Sequence, residues 1–150
     1  STPHPTDLRE RVFEFVCRVV LFCRELSKEP GTVRQIAWQL ADAASSAGAN
    51  LEEAKAAYSR RDFAAKNSIS LKEMREALYW LRVIVTCNLA APEVVRPLLA
   101  EADELTAMLT AGMSDFIQSE FELFRVLSSQ FSVLTSHFSV LTSQLSLMLL

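Results

Sequence analysis

Residues 131–144 consist of two near-identical sevens, Phe131-Ser132-Val133-Leu134-Thr135-Ser136-His137 and Phe138-Ser139-Val140-Leu141-Thr142-Ser143-Gln144, and a degenerate third begins at Leu145. A period of seven is two turns of a slightly underwound helix. Phe124, Phe131, Phe138 and Leu145 therefore share one column, with Leu127, Leu134, Leu141 and Met148 beside them. In a strand, an odd repeat turns each successive Phe to the opposite face, so the helix is the form that aligns them. Ser, Thr, Val and Phe also favour strands, which makes an alternating strand or an aggregation-prone tail the competing form. A third column, Val126, Val133, Val140 and Leu147, widens the apolar arc beyond a two-stranded coiled-coil seam and suits several neighbours per helix. From Val126 to Leu150 there is no formal charge, yet about half the positions are Ser, Thr, Gln or His, which argues against a membrane span. The repeat reads as a C-terminal association surface formed by Phe124, Leu127, Phe131, Val133, Leu134, Phe138, Val140, Leu141, Leu145 and Met148.

The remainder of the chain is also written for helix. Half of the 150 residues are apolar, and 3 Gly and 5 Pro are too few to punctuate a strand-and-turn architecture. Thr6 is expected to cap a first helix running to about Lys28, which Glu29-Pro30-Gly31 ends. Thr32 is expected to cap a second, whose stripe is Val33, Ile36, Leu40, Ala43, Ala47, Leu51, Ala54 and Tyr58. Ser59 with Asp62 resembles a capping box for a third helix, striped by Leu71, Met74, Leu78, Leu81 and Val85 and closed by Asn88 to Pro92. A fourth starts near Pro92 and passes through Val95, Leu98, Ala102, Leu105, Leu109 and Met113 into the repeat. Short connections make neighbours antiparallel. The expectation is an all-α, up-down-up-down four-helix bundle over residues 1–115, followed by an amphipathic heptad-repeat extension over 116–150.

Two features of the bundle point outward. Between Phe13 and Cys23 only Glu14 and Arg18 are polar, so Phe13, Val16 and Val20 form a face separate from Val12, Phe15, Val19 and Phe22. A helix apolar on two sides needs a second cover, and a small bundle supplies one. Tyr79 and Trp80, about 100° apart on a helix, cannot both face one core. Phe13, Val16, Val20, Tyr79 and Trp80 are accordingly assigned to a subunit interface. The run Ala43-Ala44-Ser45-Ser46-Ala47-Gly48-Ala49 places small side chains in mid-helix, where Gly costs about 1 kcal/mol against Ala. Close helix packing at Ala44, Ala47, Gly48 and Asn50 is expected to compensate, with the Asn50 amide hydrogen-bonded across the contact.

Chemistry is hard to find. The carboxylate pairs Glu52/Glu53, Glu73/Glu76 and Asp103/Glu104 lack the helical Glu-x-x-His partner of a di-iron bundle. His4 lies near the N-terminus and His137 takes a repeat position that is otherwise Gln130 and Gln144, neither suited to metal ligation. Phosphate loops, Ser-His-Asp sets and zinc spacings are absent, so no catalytic, cofactor-binding or metal residue is assigned and no cofactor is expected. Net charge is −3 with cations and anions interspersed, which gives no broad positive field for a phosphate backbone. Lys55, Arg60, Arg61, Lys66, Lys72 and Arg75 gather near the second turn, but Glu52, Glu53, Asp62, Glu73 and Glu76 share the stretch. Cys17, Cys23 and Cys87, odd in number and in apolar helical stretches, read as reduced core thiols of a cytoplasmic protein.

Asp7-Leu8-Arg9-Glu10-Arg11-Val12-Phe13-Glu14-Phe15, the run Ala47-Gly48-Ala49-Asn50 with Glu52, Glu53 and Ala54, and Ser70-Leu71-Lys72-Glu73 with Glu76, Tyr79, Trp80 and Leu81 carry a resemblance. Together with Phe63 and Lys66 they look like the bacterial four-helix-bundle family of ribosomal-RNA intervening-sequence proteins, over about Asp7 to Ala111. The accessory protein of diversity-generating retroelements belongs to the same structural group. The resemblance implies an up-down bundle that assembles as a homopentamer and has no known enzymatic activity. The retroelement member is strongly basic and partners a reverse transcriptase and RNA, whereas this chain is mildly acidic. The resulting expectation is a non-enzymatic self-assembling bundle whose partner is itself, possessing a second association surface in its tail. The alternative is a nucleic-acid-associated adaptor.

Overall fold

The computed structural model describes residues 7–148, which form four helices: α1 (Leu8–Leu26), α2 (Thr32–Lys55), α3 (Arg60–Thr86) and α4 (Pro92–Met148). No strand occurs among the described residues. The fold is the all-α up-down-up-down bundle that the periodicity implies. It divides into two compact units, one ending at Met113 and one beginning at Ser114. Thr6, the expected cap of α1, and His4 lie outside the described residues. The cap of α1 is Asp7, whose carboxylate accepts from the Arg9 backbone N–H at 3.0 Å and so satisfies an orphan donor of the first turn.

The other boundaries show how local chemistry sets each helix end. Thr32 is the first helical residue of α2 and not its cap; Gly31 takes the cap position with φ 74° and makes no side-chain bond. That positive φ explains the glycine. Ser59 caps α3 as expected, its Oγ accepting from the Asp62 N–H at 3.1 Å. The return bond of the box is displaced by one residue, because Asp62 Oδ2 accepts from the Tyr58 N–H at 3.3 Å instead of from Ser59. At its far end α3 closes in a Schellman motif: the Leu89 N–H reaches Ile84 O at 3.0 Å and the Asn88 N–H reaches Val85 O at 3.2 Å. Asn88 supplies the required left-handed residue, with φ 52°. Pro92 opens α4, and Pro97 falls in its second turn.

Within the first unit, α1 and α2 pack closely, as do α2 and α3. The core combines Val12, Phe15, Val19, Cys23 and Leu26 of α1 with Leu40, Ala43, Ala44, Ala47 and Leu51 of α2. Met74, Ala77, Leu81 and Ile84 of α3 and Val95, Leu98, Ala102, Leu105 and Leu109 of α4 complete it. The α4 stripe is as the spacing implies from Val95 to Leu109, whereas Met113 is half-buried and outside the core. On α3 the seam is rotated: Ser70, Ala77 and Ile84 are buried with Met74 and Leu81, while Leu71, Leu78 and Val85 pack at its margin. Small Ala and Ser side chains are silent in a search for large apolar residues, and here they are buried where α2 meets α3. Tyr58 does not extend the α2 stripe; it follows the end of the helix and is fully exposed. Of the three cysteines only Cys23 is a core residue, whereas Cys17 and Cys87 are exposed.

Candidate association surfaces

The small-residue run of α2 packs against two helices from different sides. A Cβ placed on Gly48 would meet Val16 Cγ2 at 3.1 Å and Val12 Cγ1 at 3.9 Å, so glycine admits α1 at that point. Ala44 and Ala47 are fully buried, and the Ala47 carbonyl accepts a 2.8 Å hydrogen bond from Ser70 Oγ of α3. Ser70 is the buried polar residue of the core among the described residues, and this bond satisfies it. The cross-helix bond expected of Asn50 is thus made by Ser70. Asn50 Nδ2 instead donates to Ser46 O of its own helix at 2.9 Å, the local alternative open to a short polar side chain one turn on.

Beside Gly48 the surface of α1 and α2 opens into an apolar groove of about 240 Å³, lined by Phe13, Val16, Ser45, Gly48 and Ala49, with Arg9 and Glu52 also on its wall. Val16 is half-buried; Phe13 and Val20 are 58% and 45% exposed, and Leu21 is likewise exposed. The second apolar side of α1 is therefore left uncovered by the described residues. Trp38 of α2, which periodicity did not single out, is 61% exposed. Its signal is its place off the buried stripe, next to Ala37. Tyr79 and Trp80 separate as their angular offset requires. Trp80 is half-buried against the core with its indole N–H donating to Glu76 Oε1 at 3.3 Å, while Tyr79 is exposed and meets the Trp80 ring edge-on at 5.0 Å.

In the second unit every residue from 123 to 148 is exposed. Phe124, Phe131 and Phe138 follow one another along α4 at seven-residue intervals, and Leu127, Val133, Leu134, Val140, Leu141, Leu145 and Met148 are exposed with them. Thr135 and Thr142 turn their hydroxyls back onto the helix, donating to Ser132 O at 2.8 Å and to Ser139 O at 2.9 Å. Their polar demand is met without a partner.

Of the carboxylates singled out as candidate chemistry, one from each pair, Glu53, Glu76 and Glu104, is engaged by a side chain of the bundle. Glu53 pairs with Lys66, whose ammonium it holds above the usual lysine range by hydrogen bonding and charge. Glu104 pairs with Arg11, and Arg11 also grips Glu101 through two bonds, Nε to Oε1 at 2.7 Å and Nη2 to Oε2 at 3.0 Å. This clamp joins α1 to α4 and was not legible from the sequence, because the partners stand 90 and 93 residues apart. Asp7, beside the Arg9 guanidinium, is held below the ordinary carboxylate range. Among the described residues no cluster of three His, Cys, Asp or Glu side chains is placed to hold a metal ion. No described helix is long and apolar enough to cross a membrane.

Among solved structures, the chain is similar to a crystal structure of a protein of unknown function from the S23 ribosomal protein family of Bacteroides thetaiotaomicron. The match has 28% identity and a TM-score of 0.65 and covers 71% of this chain and 98% of the other. None of the curated proteins matches it. The sequence model of the 23S rRNA-intervening sequence protein matches residues 6–111, which takes in all of the described bundle except its last two residues. By that match the chain belongs to the 23S rRNA-intervening sequence protein family.

Proposed function

We propose that this protein is a non-enzymatic, cytoplasmic, self-assembling bundle, a homopentamer in its basic form, and that its heptad-repeat tail joins such units further. The observation that carries the reading is the pair of uncovered apolar surfaces: the groove face of Phe13, Val16 and Val20, and the exposed columns of the tail. Burying a side chain of this size contributes about 1.5–3 kcal/mol, so four on one face supply enough to drive association. The subunit number five rests on the family resemblance. Two exposed, unpaired thiols, Cys17 and Cys87, suit a reducing compartment. A nucleic-acid role draws less support, because Arg9, Arg11 and Lys66 are engaged by carboxylates of the same chain.

Native mass spectrometry with light scattering tests both surfaces. Phe131→Ser with Phe138→Ser is expected to reduce the parent particle to a ring of fixed subunit number. Phe13→Asp or Val20→Asp is expected to dissociate the ring while far-ultraviolet circular dichroism stays helical. Equal particle sizes in parent and double variant remove the tail from assembly. Unfolding of the Asp variants assigns those positions to the intrasubunit core.

A further inference from the structure

Charges that alternate along the sequence of α3 are sorted by face in the folded helix. Its anions, Asp62, Glu73 and Glu76, are half-buried together on the flank from which Lys66 reaches Glu53 of α2. Arg61, Ser68, Lys72, Arg75, Tyr79 and Arg82 fall instead within an arc about 80° wide, opposite the buried Ser70, Met74, Ala77 and Ile84, and all six are exposed. This crest runs for about 31 Å and holds four cations and no anion. Among the described residues, none of the four is ion-paired or hydrogen-bonded. On its other flank the crest meets α4, where Leu78 and Arg82 share a cleft of about 510 Å³ with Arg96, Leu99, Ala100 and Asp103. Arg96 is likewise exposed and bonded to no described group. Asp103 is the one carboxylate on the cleft wall.

We propose that this crest, with Arg96, is a docking surface for single-stranded RNA, with Lys72, Arg75, Arg82 and Arg96 on its phosphates and the Tyr79 ring against a base. The inference goes beyond self-assembly and takes from that reading only the cytoplasmic compartment, where unpaired strands are RNA. Charge selects a polyanion. The carboxylates that engage Arg9, Arg11 and Lys66 leave the crest untouched. Although the chain carries a net charge of −3, α3 alone holds six cations against three anions. Anions elsewhere in the chain are screened beyond a Debye length of about 8 Å at physiological salt, so a strand lying on the crest meets mainly the cations beneath it.

The aromatic ring selects the kind of strand. Tyr79 is 54% exposed in the midst of the cations, one turn from Arg75 and one turn from Arg82. A duplex keeps its bases stacked and offers the crest its phosphates alone. A single strand can lay a base on an exposed ring while its backbone follows the cations. An acidic protein would match the charge and leave the ring without a base.

Fluorescence anisotropy of the full chain with a labelled oligouridine of about 20 nucleotides, in about 50 to 200 mM KCl, tests this. The parent is expected to bind, with log affinity falling against log salt at a slope of about −3, as four single-strand phosphate contacts require. Arg75→Gln/Arg82→Gln should lower that slope by about half and the affinity at low salt by about tenfold or more. Tyr79→Ala should weaken binding about fivefold or more and leave the slope unchanged. Arg18→Gln/Arg24→Gln, which takes the same charge from the exposed side of α1, should bind as the parent does. A parent that does not bind at about 50 mM salt overturns the inference, as does binding that the α1 variant weakens as much as the crest variants do. A deoxyuridine oligomer that binds more tightly than the RNA overturns the choice of strand, and polyglutamate that competes equally overturns it in favour of an acidic protein. Light scattering of the same samples keeps assembly separate. The crest variants should match the parent in particle size, and one that disassembles assigns the crest to a subunit contact and overturns the inference. A parent that binds RNA as a monomer supports the inference and removes the assembly reading.

Discussion

Val95, Leu98, Ala102, Leu105 and Leu109 keep three-and-four spacing on one face of α4 and are buried, whereas Phe124, Phe131 and Phe138, aligned as well along the same helix, are exposed. Periodicity is equally clear in both stretches. The difference lies in what the rest of the chain provides. Before Met113, three other helices present matching stripes, and Ser70, Ala77 and Ala47 let the backbones close in. After Ser114 the described residues form only the continuation of α4. An amphipathic pattern therefore specifies that a face must be covered, and says whether it is covered only when the partner elements are counted as well.

The largest expected effect compares the same substitution in the two stretches. Leu105→Ala removes a fully buried side chain from the four-helix core and should cost about 2–5 kcal/mol of unfolding free energy, with a matching fall in the urea midpoint. Leu134→Ala removes an equal number of atoms from the exposed face. It should leave the unfolding of the dispersed chain within about 0.5 kcal/mol of the parent and appear instead as smaller particles at high concentration. If both variants lose the same stability at all concentrations, the distinction between the stretches fails.

Gly48 sharpens the comparison within the bundle, since it stands where the core meets an uncovered groove. Gly48→Ala gains about 1 kcal/mol of helix propensity and sets a Cβ 3.1 Å from Val16 Cγ2, so the two effects should nearly cancel. Gly48→Leu has no such balance. It must push Val16 aside and should cost about 1–3 kcal/mol in thermal or denaturant unfolding. A Leu variant that melts and assembles like the parent would show that the approach of α1 to α2 does not depend on the missing side chain.

Much of this fold was legible because large apolar residues at helical spacing are an unambiguous signal, and Ser59, Pro92 and Asn88 mark ends by their own backbone chemistry. What escaped has a common physical cause. Ser70 and Ala77 are buried because they are small, and smallness is also what a surface tolerates. The Arg11 clamp onto Glu101 and Glu104 depends on which turns of α1 and α4 come level, a tertiary fact carried by no local window. The Asn50 amide finds its acceptor in Ser46 O, one turn back on its own helix, and a local bond of that kind competes with any cross-helix one. The uncovered face of α1 could be read in outline, since Phe13 and Val20 stand off the Val12, Phe15, Val19 stripe. Cys17 and Cys87 show the converse, apolar context in sequence without burial in the fold.

The smallest effect uses the cysteines to ask how tightly the bundle closes. Burial pushes the Cys23 thiol up to about 12 from an ordinary 9.0. Below pH 9 the thiol is protonated in both folded and unfolded chains, and its contribution is fully present. Between pH 9 and about 12 the unfolded chain releases the proton while the folded chain retains it. Folding then takes up a proton, so stability falls as pH rises through this window, by roughly 1 kcal/mol at pH 10. Cys23→Ala leaves a small cavity at every pH but has nothing to titrate. The urea-midpoint difference between parent and variant should therefore shrink from pH 8 to pH 10, with the other titrating groups cancelling in the comparison. Thiol labelling gives the same answer independently: in the native chain Cys17 and Cys87 should react promptly and Cys23 only after unfolding. A constant difference across the pH range, together with three equally reactive thiols, would mean that the α1 core admits water and that the bundle is less sealed than its packing requires.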